Sequence, residues 1–248
     1  SETIIGKWMK ARGNREALHI FTKVNSANKP GGLSAQAIHD GVEASLARLQ
    51  TDYIDLYFSH WPDPETSHEE TLGAYDPLVR SGRVRVLGAS NYSAQMVRDA
   101  QQTAIIKSLP RYDVLQPRFN LYDRAEFDAL ADVVAEQELG TVVYYSLAAG
   151  FLTGKYRSKA DFGKSPRGGG MEKYLDAKGE AILAALDTVA AAHDATPAEV
   201  SLAWLVAQKG VSAPIASATS VEQVKSLAKG VRLKLADDEL KLLTDAGA

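Results

Sequence analysis

The sequence predicts an α/β protein built on a parallel sheet. Strand-like and helix-like segments alternate along all 248 residues, and no segment carries the turn signal of an antiparallel hairpin. Because parallel strands need a crossover between them, usually a helix, this alternation favours repeated βα units. The length also fits one complete α/β barrel, which typically needs about 250 residues.

Six strands are predicted from short apolar or alternating runs. They cover residues 18–24, 54–60, 84–91, 114–120, 141–147 and 212–217. Six is too few for a complete eight-stranded barrel. Either the sheet is smaller and open, or a barrel lacks two βα units in the residues given. The apolar stripe at positions 4, 5, 8 and 9 predicts a helix at the very start of the chain, which is what a missing first strand would leave.

The helices are predicted from their N-terminal caps. Ser1, Ser34 and Ser93 each precede a helical pattern. Three further starts have the capping-box pattern, in which a Glu or Gln stands three residues after the cap; they begin at Ser67, Thr196 and Ser220. The predicted helices run to about residues 49, 82, 107 and 208, with others over 124–138 and 175–193 and a helical C-terminus.

Composition narrows the class of function. The net charge of −3 gives no electrostatic footprint for nucleic acid or an anionic membrane. The chain has no cysteine, which excludes thiol catalysis and cysteine-ligated zinc. No apolar run approaches the ~20 residues that span a bilayer, and no signal peptide is recognisable at the start. We therefore expect a cytoplasmic protein that acts on a small molecule, without a metal site.

Polar side chains recur where the predicted strands end. Such a side chain lies at or near the carboxyl end of each of the first five strands: Lys23, His60, Ser90 with Asn91, Gln116 and Tyr144. Each alone is typical of a turn or a solvated surface. Five in succession indicate a shared site, because a parallel barrel gathers these strand ends into one mouth. Asp52 and Asp55 stand at the opposite end of their strand and are interpreted as structural.

Several common catalytic motifs are absent from the sequence. There is no Gly-x-Gly-x-x-Gly dinucleotide fingerprint, no His-Glu-x-x-His and no Gly-x-Ser-x-Gly. The four remaining histidines fall at a strand start or on predicted helices and are interpreted as packing or surface residues.

The chain resembles the aldo-keto reductase superfamily over nearly its whole length. The segments that carry this resemblance are Phe21-Thr22-Lys23, Asp55-Leu56-Tyr57-x-x-His60-Trp61-Pro62, Gly88-Ala89-Ser90-Asn91-Tyr92, Gln116 with Phe119-Asn120-Leu121, and the run Leu147 to Tyr156. Counting back from Leu147 places the family's nicotinamide-stacking tyrosine on Tyr144.

The resemblance implies a (β/α)8 TIM barrel that binds NADP(H), in preference to NAD(H), and reduces aldehydes or ketones by hydride transfer. Lys23 and His60 would be catalytic: the lysine lowers the pKa of a proton-donating tyrosine, and the histidine orients and polarises the carbonyl. Cofactor binding is implied for Ser90, Asn91, Gln116, Tyr144, Tyr145, Leu147, Ala149, Gly150, Leu152, Lys155, Ser217, Ala218, Thr219 and Gln223.

Two departures from the family pattern modify these expectations. The family's catalytic tyrosine and aspartate lie just before a motif that here is Ser1 to Gly6, so both are expected before residue 1. We therefore expect residues 1–248 to form a single barrel domain that lacks its first two strands. The phosphate-binding segment 214–223 also lacks the basic residue of many relatives, although backbone amides at a helix start bind phosphate.

The segment Lys155 to Lys173 carries six basic and two acidic residues around three consecutive glycines. It is interpreted either as a solvated surface loop or as a lid over the cofactor pyrophosphate.

Three functions remain open on the sequence. The first is a carbonyl reductase. The second is a nucleotide-binding regulatory protein, like the members of the family that assist potassium channels, which keeps the cofactor residues with little turnover. The third is a Schiff-base lyase that uses Lys23, against which the carboxamide-binding set argues.

Overall fold

The computed structural model describes residues 1–25, 27–165 and 167–248. These residues form two compact units, which are called unit 1 and unit 2 below. Unit 1 comprises Ser1–Gln116 with Asp132–Gly140, and unit 2 comprises Pro117–Ala131 with Thr141–Ala248.

Unit 1 is built from four parallel strands with helices between them. The strands are β1 (Phe21–Val24), β2 (Ile54–Ser59), β3 (Val84–Ser90) and β4 (Val114–Gln116), paired in that order. The helices are α1 (Glu2–Arg12), α2 (Ala35–Leu49), α3 (His68–Arg80) and α4 (Ala94–Lys107). All six residues of β2 are buried, as expected of an inner strand of a parallel sheet.

The register of these strands sets one row of residues side by side. Lys23 pairs with Phe58, Phe58 with Gly88, and Gly88 with Val114. An ideal Cβ built on Gly88 would lie 2.4 Å from Cε1 of Phe58. The Phe58 ring therefore lies over the space that the glycine leaves free, next to Lys23.

Unit 2 contains the second half of the alternation. Its parallel strands are β5 (Gly140–Val143, of which Gly140 belongs to unit 1) and β6 (Ala213–Pro214). Its helices are α5 (Ala125–Asp128), α7 (Ala177–Ala192), α8 (Pro197–Ala207), α9 (Val221–Gly230) and α10 (Asp237–Ala246), whereas α6 (Ala131–Glu136) belongs to unit 1 except for Ala131. The core of unit 2 is aromatic: Phe119 stacks on Phe127 at 4.2 Å and lies 5.4 Å from the Trp204 ring.

Most of the predicted helix starts are confirmed. The side chains of Ser34 and Ser93 accept the backbone N–H groups of Ala37 and Met96, and Thr196 and Glu199 form both hydrogen bonds of a capping box. Ser1 precedes α1 without a capping hydrogen bond from its side chain.

Two of the predicted capping boxes are only half formed. Ser67 caps α3, but the Glu70 carboxylate accepts the N–H of Ala35 at 3.1 Å, at the start of α2. Ser220 caps α9, but Gln223 Oε1 accepts the N–H of Thr219 at 2.7 Å instead of that of Ser220. In both cases the residue three positions after the cap accepts a hydrogen bond from a different backbone N–H group, that of Ala35 or Thr219, instead of the N–H of the capping serine.

Several predicted boundaries were too generous. The helix expected over 124–138 is divided between α5 and α6, where Leu130 N–H closes a tight turn on Phe127 O. Strand β5 ends at Val143 instead of 147, because the chain soon leaves the extended region: Tyr145 has φ 64°.

The six parallel strands and intervening helices of the described residues confirm the α/β prediction. None of the helices in residues 1–25, 27–165 and 167–248 is long and apolar enough to cross a membrane.

Candidate active site

Lys23 lies on β1 in unit 1 with its ammonium over an aromatic ring. The Nζ atom is 5.5 Å from the centroid of the Phe58 ring, within cation–π distance. Lys23 forms no ion pair with a carboxylate in residues 1–25, 27–165 and 167–248. Burial lowers its pKa, because the charged ammonium loses hydration without a counter-ion.

His60 directly follows β2 and is fixed by its backbone and by a stacked ring. Its N–H donates to Val24 O at 3.1 Å, and its imidazole stacks on Trp61 with ring centroids 5.6 Å apart. Nδ1 is buried and has no hydrogen-bond partner among the described residues. Burial, and then the positive charge of Lys23, lower the pKa of His60 below its ordinary value. The imidazole is therefore neutral at pH 7.

Ser90, Asn91 and Gln116 lie together at the ends of β3 and β4. Ser90 pairs in register with Gln116, and its hydroxyl donates to Gln116 O at 2.9 Å. Asn91 has φ 61°, a left-handed conformation that asparagine tolerates better than most residues. Its Nδ2 donates to His60 O at 2.8 Å, so the Asn91 turn is tied to the end of β2.

Unit 1 thus brings five of the predicted site residues to the carboxyl ends of four adjacent strands. They supply one partly buried cation, one neutral imidazole and a cluster of amide and hydroxyl groups. Such an arrangement can stabilise negative charge that develops on an oxygen and can bind a planar amide. The Asp55 carboxylate, at the other end of β2, instead accepts hydrogen bonds from Arg15 and Arg85 at 2.7 and 2.9 Å, so its role is structural as predicted.

In unit 2, Tyr144 follows β5 and forms a bridge with the chain after β4. Tyr144 N–H donates to Pro117 O at 2.9 Å, and Phe119 N–H donates to Tyr144 O at 3.2 Å. The Tyr144 and Tyr145 rings meet edge to face, 6.0 Å apart. Burial raises the pKa of Tyr144, so its phenol is neutral at physiological pH.

The predicted cofactor segment after Tyr144 has an unusual backbone. Positive φ angles occur at Tyr145 (64°), Ala148 (47°), Ala149 (55°) and Gly150 (105°). Backbone outliers of this kind cluster at ligand sites, where the surrounding structure holds them. Leu152 is fully buried and anchors the segment, its N–H donating to Leu147 O at 3.3 Å. The Lys155 side chain passes over Gly150, with Nζ 3.5 Å from the position of a Cβ built there.

The predicted phosphate segment precedes α9. Ser217 and Thr219 are exposed, and Ser220 is the N-cap of this ten-residue helix. Thr219 Oγ1 and N–H both bond to Gln223 Oε1, which fixes the turn. Residues 211–223 contain no Lys or Arg, so backbone amides are the available anion donors.

The described residues of the basic segment, 155–165 and 167–173, contain short helices and are partly charge-paired; residue 166 lies outside the described residues. The 3-10 helices lie at Lys159–Lys164, Gly168–Gly170 and Glu172–Tyr174. Arg157 forms two hydrogen bonds with the Asp187 carboxylate on α7, at 2.7 and 2.8 Å, and Lys159 pairs with Glu172. The lid and the surface loop both remain predictions.

Two features of the structure were not predicted from the sequence. One is the Phe58–Gly88 contact beside Lys23, which depends on strand register. The other is Arg118, whose guanidinium carbon lies 5.0 Å from the Tyr145 ring centroid. The only sequence signal for Arg118 was a basic residue two positions after Gln116. The described residues hold no cluster of His, Asp and Glu suited to a metal ion.

Comparison with known proteins agrees with the resemblance seen in the sequence. The family model for the aldo/keto reductase family matches residues 1–248. Protein tas of Escherichia coli (strain K12) is 31% identical over 271 residues, covering 97% of this chain and 77% of that protein. A Schizosaccharomyces pombe relative, aldo-keto reductase yakc with NADP(+) in its name, is 32% identical over 99% of this chain and 74% of its own length.

The fold agrees as well. The crystal structure of the thermostable aldo-keto reductase Tm1743, in complex with the inhibitor epalrestat, matches with a TM-score of 0.77 and 30% identity. The match covers 99% of this chain and 77% of that one, and it confirms the predicted (β/α) barrel class. From the family model, the relatives and the fold together, this chain belongs to the aldo/keto reductase family and is an oxidoreductase.

Proposed function

We propose that the protein is an NADP(H)-dependent carbonyl reductase that converts aldehydes or ketones to alcohols. The observation that carries the proposal is the pairing of Lys23 with His60 at the ends of β1 and β2. One group is a partly buried ammonium without a carboxylate partner in the described residues, and the other is a neutral imidazole with a buried, unpartnered Nδ1.

The unit 1 residues fit the carboxamide of a nicotinamide. Gln116 is only 6% exposed, yet its side-chain amide forms no hydrogen bond within the part of the chain that the structure describes. A side-chain amide has both donors and acceptors, so Gln116 can bond to the C=O and the NH₂ of a ligand carboxamide. Ser90, Asn91 and Gln116 are therefore proposed to hold the carboxamide.

The unit 2 residues fit the rest of a dinucleotide. Tyr144 offers an aromatic ring for stacking, and the segment Tyr145 to Leu152 with Lys155 offers backbone groups in left-handed conformations and a cation. Ser217, Ala218, Thr219 and Gln223 lie beside the first turn of α9, whose N–H groups bind anions. When bound, the nicotinamide cofactor supplies the hydride.

In this proposal the carbonyl oxygen needs a proton as the hydride reaches the carbonyl carbon. As the resemblance implies, a tyrosine donates that proton, and the Lys23 ammonium lowers the pKa of the tyrosine and stabilises the negative charge that develops on the oxygen. The neutral His60 imidazole offers one N–H, which orients the carbonyl. Removing either group is expected to lower kcat by about 10²-fold to 10⁴-fold.

The test follows NADPH oxidation with a panel of neutral aldehydes, using the protein as its gene encodes it. Lys23→Met and His60→Gln are compared with Lys10→Met and His39→Gln, which change the same residue types at exposed positions on α1 and α2. The proposal requires that the first pair lose turnover while the second pair keeps it. Lys23→Met with turnover within about twofold of the parent would refute the assigned role.

The choice of NADP(H) over NAD(H) is tested separately. The S. pombe relative has NADP(+) in its name, which supports the phosphorylated cofactor. Residues 211–223 contain no Lys or Arg to bind the additional phosphate of NADP(H), so we expect the preference for NADP(H) over NAD(H) to be small. We expect kcat/KM to favour NADPH over NADH; equal values would remove this part of the proposal.

No observation favours the regulatory function. Its signature would be tight NADPH binding by the parent protein without turnover of any carbonyl compound. We expect the partner to be a small-molecule carbonyl substrate in the cytoplasm, with neither nucleic acid nor membrane involved.

A further inference from the structure

Four buried hydroxyl groups form a connected chain in unit 1, called the hydroxyl chain below. They belong to Ser59, Tyr75, Tyr92 and Tyr112. All four residues are at most 5% exposed. Because side chains alternate along a strand, Ser59 lies on the face of β2 opposite to Phe58. Hydroxyl groups buried so deeply restrain the segments that carry them, since their hydrogen bonds cannot be exchanged for bonds to water.

Ser59 is the centre of the hydroxyl chain. Its Oγ lies 2.9 Å from the hydroxyl oxygen of Tyr75 on α3 and 2.8 Å from that of Tyr112, which stands just before β4. The Tyr112 hydroxyl lies in turn 3.4 Å from that of Tyr92, and the two rings meet edge to face with centroids 5.7 Å apart. The end of β2 is thereby joined to α3 on one side and to the segments around β3 and β4 on the other.

Tyr112 is itself held firmly by its backbone. The buried Gln101 side chain on α4 donates from Nε2 to Tyr112 O at 2.9 Å, and its Oε1 accepts Tyr112 N–H at 3.2 Å. The Tyr112 phenol therefore extends from a fixed point, and its hydrogen bond with Ser59 restrains the end of β2.

Two members of the hydroxyl chain adjoin proposed site residues in sequence. Ser59 directly precedes His60, and Tyr92 directly follows Asn91. The last residue pair between β2 and β3 is Ser59 with Ala89, so His60 lies beyond the paired part of these strands. Past that pair, Asn91 Nδ2 donates to His60 O at 2.8 Å, and the hydroxyl chain joins the same two turns a second time.

Tyr75 provides a comparison within the hydroxyl chain. It is buried as completely as Tyr112, and its hydroxyl meets the same Ser59 oxygen at nearly the same distance. However, its helix α3 carries no proposed site residue, whereas Tyr112 stands four residues before Gln116 of the carboxamide-binding set. Loss of the Tyr75 hydroxyl therefore removes a similar buried hydrogen bond without uncoupling the end of β2 from the cofactor residues.

We infer that Tyr112 is a positioning residue, which acts through Ser59 to hold His60 in alignment with the carboxamide-binding residues. A carbonyl group oriented by His60 then lies at the correct distance and angle from a nicotinamide bound at the ends of β3 and β4. Alignment of this kind contributes to kcat, and small displacements of the reacting groups are costly. The inference rests on the proposed function, because it concerns alignment for that reaction.

The test compares Tyr112→Phe with Tyr75→Phe, which each remove one hydroxyl from a fully buried tyrosine. Assays with NADPH and a neutral aldehyde give kcat and KM, and thermal unfolding gives Tm. Both variants should lower Tm by a similar amount, about 2–6 °C, because each loses one buried hydrogen bond. Tyr112→Phe should also lower kcat by about tenfold with KM for NADPH within about twofold of the parent, whereas Tyr75→Phe should keep kcat within about twofold.

The pKa of His60 reports on its position independently of turnover. Burial, and then the charge of Lys23, hold this pKa below its ordinary value. When the end of β2 is less restrained, water reaches the imidazole more often, so Tyr112→Phe should raise the pKa of His60 in an NMR titration. Tyr75→Phe should leave it unchanged.

Ser59→Ala shows whether Tyr112 acts through Ser59. This change removes the hydroxyl with which Tyr112 bonds, so kcat should fall as it does in Tyr112→Phe. The double variant of Ser59→Ala and Tyr112→Phe should be no slower than Tyr112→Phe alone, since both changes break the same link. A double variant whose loss of kcat equals the product of the two single losses would overturn the inference.

The outcomes separate this inference from the proposed function. Equal kcat values for Tyr112→Phe and Tyr75→Phe, or an unchanged His60 pKa in Tyr112→Phe, would overturn the inference and assign the hydroxyl chain to stability alone. The reductase proposal would then stand, because the parent protein still reduces the aldehyde. Failure of the parent protein to oxidise NADPH with any aldehyde would refute the proposed function, and the inference with it.

Discussion

Gly88→Ala tests whether the sheet supports Lys23, the proposed catalytic lysine, through the Phe58 ring. Phe58 is fully buried on β2, directly between Lys23 on β1 and Gly88 on β3 in the register of the sheet. A methyl group at residue 88 would lie 2.4 and 2.5 Å from two carbons of the ring and 3.0 Å from Val114 O. Because carbon atoms pack at about 3.5–4.0 Å, the ring must move by about 1 Å.

The size of the effect follows from this overlap. Forcing one methyl group into a close-packed core typically costs about 1–3 kcal/mol. For a protein of this size, each kcal/mol lowers Tm by roughly 2–4 °C. The displaced ring also carries the contact with Lys23 Nζ, now 5.5 Å from its centroid, so kcat is expected to fall more than stability alone explains.

Urea unfolding gives the free energy, and the neutral-aldehyde assay gives kcat for the folded protein. Gly73→Ala, on α3, is the matched control, because a Cβ there meets no atom within 4 Å. In a helix this change is expected to stabilise the protein by up to about 1 kcal/mol. Equal effects of the two substitutions, or Gly88→Ala with unchanged stability and kcat, would refute the reasoning.

Three further outcomes are expected. Burial alone would raise the pKa of Asp55, but hydrogen bonds from Ile20 N–H and Arg15 hold it below the ordinary 3.8. The stabilisation is therefore complete above the unfolded-state pKa and is lost as the pH falls through the folded-state pKa. Asp55→Asn should cost about 2 kcal/mol in urea unfolding at pH 7 and progressively less in acid, whereas a constant difference would contradict this. Lys23→Met should raise the pKa of His60 in an NMR titration, because the Lys23 charge helps to lower it; an unchanged pKa would argue against their proximity. Gly150→Ala should destabilise the protein by about 1–2 kcal/mol through its φ of 105°, and weaken NADPH binding, whereas Gly163→Ala, which meets no atom within 4 Å, should do neither.

The sequence by itself determined the order and type of the elements. Helix starts at Ser34, Ser93 and Thr196 were predictable because a cap is a contact between residues three apart, which needs no tertiary contact to form. The proximity of Lys23 and His60 was predictable because parallel strands bring their carboxyl ends to one edge, and their catalytic role stays a prediction. The family resemblance, since confirmed by the family model, added the proposed cofactor residues.

The tertiary structure decided what depends on register and on neighbours remote in sequence. Glu70 bonds to Ala35, 35 residues away, instead of completing its own capping box. Phe58 covers Gly88 only because β2 and β3 pair in one particular register. Arg118 meets Tyr145 because a bridge after β4 aligns it with the end of β5. Local sequence patterns predict the helix or strand on which such a residue lies. Its contact partners depend on tertiary packing between segments remote in sequence, and the periodicity of the sequence does not reveal them.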